Sequence, residues 1–337
     1  MSIEYKGKKY HTTPSKLKET ILKYGVAVIP NVLDEKEIEN MNCGVWDMLE
    51  TITKPFPIPI IKSDINTWKS YYQLLPNHSM LLQHYQVGQA QYVWDIRQNP
   101  KIVDIFCDLW NVDRYNLLTS FDGISFHMPP EILQNQRYYK NDWFHTDQSY
   151  TRPQFECVQS WVTGYDVGEG DGTLAILEGS NNFHDEFRVN FNITQKTDWY
   201  KLTEDEKQFY NDRGCKRISI KCPAGGMVFW DSRTIHSGQE PVKGRINHRF
   251  RNIVYVCMTP KEWCLEKNIE KKQFAFENMR MTNHYPHKPK LFPVNPHTYG
   301  APLPITNKLQ TPNLTTLGKS LAGFKVELED YGKIFYV

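Results

Sequence analysis

The chain has 337 residues, a formal net charge of +2, 40% apolar residues and 23% charged ones. That is enough chain for one elaborated domain, or at most two, with the composition of an ordinary soluble globular protein. It excludes a nucleic-acid arm, a polybasic membrane anchor and a membrane span: the most charged run, Lys267 to Lys272, is of mixed sign, and no apolar run is long enough to cross a bilayer. The segment Met1–Gly7 lacks the apolar core of a signal peptide. The seven cysteines form no Cys-x-x-Cys pair, and their odd number argues against a fully paired disulfide framework. A cytoplasmic protein with free thiols is expected. Without a secretory signal, the glycosylation triplets at Asn77, Asn192 and Asn313 carry no weight.

The first predicted helix is punctuated by Thr13 as N-cap, Pro14 at its first position, Leu17 and Ile21 on one face and Gly25 beyond its end. Val26–Ile29 reads as a short buried strand. Asp34 with Glu37 forms a capping box that opens a second helix toward Leu49. Asn99-Pro100 opens a third, with Ile102, Val103, Ile105, Phe106 and Leu109 as its packed set.

From Asn116 to Met258 the pattern changes to short runs rich in Val, Ile and aromatic residues, bounded by Gly, Pro, Asn or Asp. Eight strands are predicted: 116–120, 123–127, 143–149, 158–165, 173–177, 217–221, 227–231 and 251–258. Such a series points to a sandwich or barrel of jelly-roll type, mainly β with flanking helices. A capping box at Thr203 and Glu206 places one helix among them, with Phe209 and Tyr210 following. Beyond Pro260 a helix and a proline-bearing irregular tail are expected. The organisation is a single elaborated domain: residues 1–115 packed on the core, 116–260 as the jelly-roll catalytic core, and 261–337 as helix and tail.

The chemistry-bearing candidate is Trp143-Phe144-His145-Thr146-Asp147-Gln148. On a strand, His145 and Asp147 project to the same face. His236, in Thr234-Ile235-His236-Ser237-Gly238, follows the 227–231 strand by a short connection, and a jelly roll can bring it beside the pair. Two imidazoles and one carboxylate that leave coordination positions open are the ligand set of non-haem Fe(II) oxygenases. Taken singly, His145 is more often a satisfied core histidine, Asp147 a turn carboxylate and His236 a loop histidine. Arg251 heads the last strand, where its guanidinium could clamp a carboxylate bidentately. Arg249 lies two residues earlier on the same face and is its rival, with Arg245 behind both.

In order and spacing, these features resemble the phytanoyl-CoA dioxygenase (PhyH-like) family of Fe(II)/2-oxoglutarate-dependent oxygenases. The resemblance runs from Gly25–Asp34 through His145-Thr146-Asp147, the Trp161 strand, Gly170–Asn181 and His236-Ser237-Gly238 to the Arg251 strand. Glu178-Gly179-Ser180-Asn181 departs from the family's usual Pro-Gly-Ser/Thr-His turn. The resemblance implies a double-stranded β-helix (cupin-like jelly roll), His145, Asp147 and His236 as iron ligands, and Arg251 or Arg249 on the distal carboxylate of 2-oxoglutarate with Trp161 beside it. It implies O2 as co-reactant, succinate and CO2 as products, and a small-molecule substrate rather than nucleic acid or membrane. Related halogenases lack the carboxylate, so Asp147 favours hydroxylation. The alternatives are a non-catalytic jelly-roll binding module and a metal-dependent cupin enzyme that does not use 2-oxoglutarate. Trp68, Tyr71 and Tyr72 are candidates for the cavity mouth, with packing the simpler reading of each, and specificity is expected in Pro55–Gln98, Asn181–Asn211 and the tail.

Overall fold

The computed structural model describes residues 3–74, 80–134 and 137–327; the Asn77 triplet and part of Pro55–Gln98 lie outside the described residues. Strand β1 (Tyr5–Lys6) and a 3-10 turn over Pro14–Lys16 lead into α1 (Leu17–Tyr24). Leu17 and Ile21 are buried as expected, and Gly25 ends the helix in the left-handed region at φ +77°. Thr13 does not cap with its side chain, because its hydroxyl lies 3.1 Å from that of Ser15 instead. β2 (Val26–Ile29) is wholly buried. The Asp34–Glu37 capping box forms in full and opens α2 (Glu35–Thr53).

After β3 (Leu81–Leu82) and α3 (Gln91–Arg97), α4 (Pro100–Trp110) starts with the Asn99 side chain accepting from Lys101 N–H. The β region then runs β4 (Leu117–Thr119), β5 (Ile124–His127), a short α5 (Pro130–Leu133), β6 (His145–Thr146), β7 (Val158–Thr163) and β8 (Thr173–Leu177). It continues through α6 (His184–Asn190), β9 (Tyr200–Lys201), α7 (Glu204–Asp212) with its Thr203–Glu206 capping box, and β10 (Arg217–Ile220). β11 (Met227–Asp231), β12 (His236–Gln239), β13 (Arg251–Val256) and β14 (Met258–Pro260) follow, then α8 (Glu266–Glu277) and α9 (Thr316–Leu321). No helix among the described residues is long and apolar enough to cross a membrane.

Two six-stranded sheets result, in the orders β1-β10-β8-β12-β6-β9 and β2-β11-β7-β13-β5-β3. Strands distant in sequence are neighbours, as the jelly-roll reading required. Period-two alternation sorts their side chains. Val26, Val28, Trp161, Ile176, Val228, Trp230 and Ile253 fill the space between the sheets. The opposite faces of β2, β7, β11 and β13 pack with Met41, Val45 and Phe106 of α2 and α4. Being covered on both sides, the second sheet's central strands β7 and β11 are buried at every residue. Phe187, Phe209 and Tyr210 of α6 and α7 cover Ala175 and Leu177 of the first sheet.

Four features depart from the sequence reading. The strand expected over 143–149 shrinks to two residues, because Asp147 N–H and Gln148 N–H both turn to the Ser232 carbonyl instead of continuing the ladder. His236 opens a strand rather than sitting in a loop. The 251–258 strand breaks at Cys257, and Met258–Pro260 leaves the sheet to pair with β4 in a separate two-stranded ladder. Helices α5 and α6 join α7 between the strands, where a single helix was expected.

Candidate active site

β12 lies between β8 and β6, and its register places His236 directly opposite His145. The two rings sit 4.3 Å apart at their centroids, and both residues are buried. Asp147 lies just past the end of β6 and still reaches them: Oδ1 is 3.6 Å from His145 Nε2, and Oδ2 is 3.2 Å from His236 Nε2. The donor atoms of all three lie within 4.8 Å of one another.

Each imidazole is oriented from behind. His145 Nδ1 lies 3.2 Å from the Trp143 carbonyl and His236 Nδ1 lies 2.9 Å from that of Thr234. A carbonyl can only accept, so Nδ1 carries a proton and Nε2 is the nitrogen that each ring turns toward Asp147, the orientation that metal-binding histidines adopt. Burial, with His236 alongside, pushes the His145 pKa down to about 3, which keeps the ring neutral and available as a ligand. At Asp147 burial opposes ionisation, but His145 and His236 outweigh it and hold the carboxyl well below the usual range. Gln159 Nε2 donates to Asp147 Oδ2 at 2.9 Å, and the Tyr285 hydroxyl donates to the Asp147 carbonyl at 3.0 Å. Two imidazoles that turn Nε2 toward one ionised carboxylate, with hydrogen-bonded support behind them, fit a divalent iron.

The turn before β12 is held from the other end of the chain. Thr234 Oγ1 donates to the Gly25 carbonyl at 2.9 Å, and Ile235 N–H donates to Ser180 Oγ at 2.8 Å. A Cβ on Gly25 would meet Thr234 Oγ1 at 2.6 Å. The Glu178–Asn181 turn, although unlike the family pattern in sequence, thus braces the run into His236.

The three arginines separate by their partners. Arg245 is committed to Glu131 and Asp171, and Arg249, with its side chain 31% exposed, donates to Asp171 Oδ2 at 3.0 Å. Arg251 is buried between the sheets. It donates from Nε to Ser125 Oγ and from Nη1 to the Gly172 carbonyl, each at 2.8 Å, and its Cζ lies 5.7 Å from the Trp161 ring. No carboxylate among the described residues lies within ion-pair reach of it. Burial lowers its pKa, with Tyr255 and Asp171 pulling the other way. Trp161 Nε1, Trp230 Nε1 and His127 Nε2 are buried without a hydrogen-bond partner. A buried cation without its anion, among orphaned donors, suits a dicarboxylate.

A cavity of about 680 Å³ opens over His145, Asp147 and His236. Its walls include Met80, Leu81 and Gln83 from one expected specificity segment, Thr197, Asp198 and Trp199 from the second, and Asn283, His284, Tyr285, Lys290 and Phe292 from the tail. Tyr71 and Trp68 pack instead: Tyr71 is buried and its hydroxyl donates to the Phe126 carbonyl, while Trp68 rests on Trp46 and Phe250. Tyr72 faces a separate surface hollow. The sequence reading missed Gln159 and Tyr255, although each shares a strand face with a residue it singled out, Trp161 and Arg251 respectively.

A profile of the phytanoyl-CoA dioxygenase (PhyH) family matches residues 21–241, a span that holds His145, Asp147, Trp161 and His236. "Ava biosynthesis cluster protein O" of Aspergillus versicolor is 32% identical over 213 residues, 61% of this chain. The chain spans 66% of that relative's length, just under two thirds. Among solved structures, the "Putative Oxidoreductase from Salmonella typhimurium LT2" superposes with a TM-score of 0.60 at 14% identity, over 94% of this chain and 86% of the other. The "Hypothetical Protein JW0805 from Escherichia coli" gives 0.58 at 14% identity, over 94% and 85%. At these identities the likeness establishes the fold alone. With well over half the chain matched and a His-Asp-His cluster that fits the family's Fe(II), 2-oxoglutarate and O2 chemistry, this chain belongs to the phytanoyl-CoA dioxygenase (PhyH) family.

Proposed function

We propose that the protein is an Fe(II)- and 2-oxoglutarate-dependent dioxygenase that hydroxylates a small molecule, with His145, Asp147 and His236 as the metal ligands and Arg251 as the anchor of the cosubstrate. The observation that carries this reading is the convergence of two Nε2 atoms, each proton-locked at Nδ1, on one ionised carboxylate in a single cavity. Bound there, Fe(II) would supply the oxidative decarboxylation of 2-oxoglutarate to succinate and CO2, coupled to oxidation of a substrate C–H bond.

The chain's own residues have defined tasks. His145 and His236 offer Nε2 donors held in direction by the Trp143 and Thr234 carbonyls. Gln159 occupies Asp147 Oδ2, which favours coordination through a single oxygen and keeps other positions free. Arg251 pairs with the distal carboxylate in a site that excludes water, where the ion pair is far stronger than at the surface. Trp161, stacked near that guanidinium, offers its unpartnered Nε1 to the same ligand. Trp230 and Phe292 keep water from the reacting centre. Asp147 favours hydroxylation over halogenation, because the position a halide would need is filled. We place the protein in the cytoplasm, given its odd complement of free cysteines.

The test is anaerobic metal uptake followed by turnover. Stoichiometric Fe(II) binding and substrate-stimulated succinate release are expected, with a small-molecule screen to find the stimulant. Failure to bind iron would favour a binding module, and oxidation without 2-oxoglutarate would favour a cupin-type enzyme.

A further inference from the structure

The cavity has a second polar pole that the metal and cosubstrate do not use. Asp122, between β4 and β5, lines it and is only 8% exposed. The Gly123 N–H donates to its Oδ1 at 2.7 Å. No Lys, Arg or His nitrogen among the described residues lies within ion-pair distance of this carboxylate. The nearest buried cation, Arg97, donates to backbone carbonyls instead, those of Gly88 and of Asp122 itself. Burial pushes the Asp122 carboxyl up, with His284, the Gly123 N–H, Arg97 and the Gln83 side chain pulling the other way. His284, which lines the same cavity, has a buried Nε2 with no hydrogen-bond partner. Its ring rests on Tyr285 at 4.5 Å, and Tyr285 is tied to the Asp147 carbonyl, so this imidazole belongs to the wall beside the metal ligands.

The rest of the wall is aromatic. Trp143 stacks on His145 with ring centroids 4.5 Å apart and planes 7° from parallel. Trp199 lies 5.8 Å from the same imidazole and is 53% exposed at the mouth, an indole with a free face. A buried carboxylate without a cation is costly unless something pairs with it, and an exposed tryptophan beside a reactive centre offers a stacking or cation–π surface. The cavity's own cation, Lys290, is 73% exposed at its side chain and 3.8 Å from Asp198, too solvated to answer Asp122.

Resting on the oxygenase reading above, we propose that the substrate is a small aromatic molecule carrying a cationic nitrogen (an amine, amidine or guanidine), with its ring against Trp199 and its nitrogen held by Asp122 and His284. This arrangement gives the buried Asp122 carboxylate the direct ion pair that no described residue supplies. It also places the carbons between ring and nitrogen over the metal ligands.

The test compares three matched probes on protein loaded anaerobically with Fe(II) and 2-oxoglutarate: tryptamine, its neutral analogue tryptophol and its anionic analogue indole-3-acetate. Isothermal titration is expected to rank tryptamine at least tenfold tighter than either. Asp122→Asn, which can still accept from Gly123 N–H, is expected to erase that preference. Should this variant fold poorly, Trp199→Ala at the exposed mouth is expected to weaken all three while keeping their order. Tightest binding of indole-3-acetate, equal affinity for the three, or no measurable binding of any would overturn the proposal. The two readings are separated by 2-oxoglutarate binding in the same series: its absence sinks the oxygenase reading, whereas its presence without a tryptamine preference sinks this inference alone.

Discussion

Replacing Arg251 with methionine is the sharpest perturbation of the proposed cosubstrate site. The side chain is buried, donates to a hydroxyl and a backbone carbonyl and lies beside Trp161 and Tyr255, so the pocket holds a positive charge with no carboxylate in ion-pair reach among the described residues. Truncating one partner of a buried, hydrogen-bonded charge pair costs about 2 to 5 kcal/mol. At 1.4 kcal/mol per decade, this corresponds to roughly a 30-fold to several-thousand-fold loss of 2-oxoglutarate affinity. Arg249→Met makes the contrast: that side chain is partly exposed and already paired with Asp171, so about 1 kcal/mol or less is at stake. The assay is thermal denaturation in the presence of a divalent metal, with and without 2-oxoglutarate. Ligand that binds only the folded state stabilises it by RT ln(1 + [L]/Kd), about 2.7 kcal/mol at a hundredfold excess over Kd. The wild type and Arg249→Met should show the 2-oxoglutarate shift, and Arg251→Met should lose it. Without the ligand, Arg251→Met is expected to be nearly as stable as the wild type, because the stranded Ser125 and Gly172 partners are offset by removal of a buried charge. Loss of the shift in Arg249→Met but not in Arg251→Met would refute the argument.

Four further outcomes follow from the same geometry. His145→Ala and Asp147→Ala should each abolish stoichiometric Fe(II) uptake and substrate-dependent succinate formation; a fully active variant would remove that residue from the metal shell. Gln159→Leu leaves the three donors in place but frees Asp147 Oδ2, so metal affinity should fall about 10- to 100-fold, with the Michaelis constant for 2-oxoglutarate little changed. Gly25→Ala forces a side chain into a left-handed residue and onto Thr234, and urea titration should reveal a loss of at least about 1–2 kcal/mol. Lys272, buried on α8 with its ammonium donating to the Thr119 carbonyl, has its pKa lowered to about 7 by burial. The unfolded chain binds that proton up to about pH 10.4. Wild-type stability relative to Lys272→Met should therefore rise between pH 7 and 10, by up to about 1.4 kcal/mol per unit, and a pH-independent difference would count against the burial argument.

What the sequence revealed, it revealed through local chemistry. The capping boxes at Asp34 and Thr203 are satisfied within four residues, and Val26–Ile29, Thr173–Leu177 and Met227–Asp231 form where β-branched and aromatic side chains are buried on both faces. The spacing of His145 and Asp147 pointed to one face, and the structure brings them together, but by a turn on the Ser232 carbonyl rather than by a continuous strand. β12 was invisible because His-Ser-Gly-Gln has no apolar alternation; its ladders to β8 and β6 supply the order. Arg249 and Arg251 share a parity that no periodicity separates, and only the tertiary position of Asp171 tells them apart. Asp122 and His284 come from a short connection and the tail, where nothing in sequence announces that they face one cavity.

The register that sets His145 opposite His236 also bears on how the chain holds together. β6 is two residues long, and its partner β12 reaches it from the far side of a long excursion through α6, α7 and five more strands. In the unfolded chain, bringing those donors together carries the full entropy of closing that loop. A metal ion bound there would act as a clasp between the two strands, and its binding energy would become folding energy. Chelation is then expected to loosen the β6–β12 side of the barrel first, so that amide exchange along Phe144–Thr146 tracks metal occupancy while β7 and β13 stay protected.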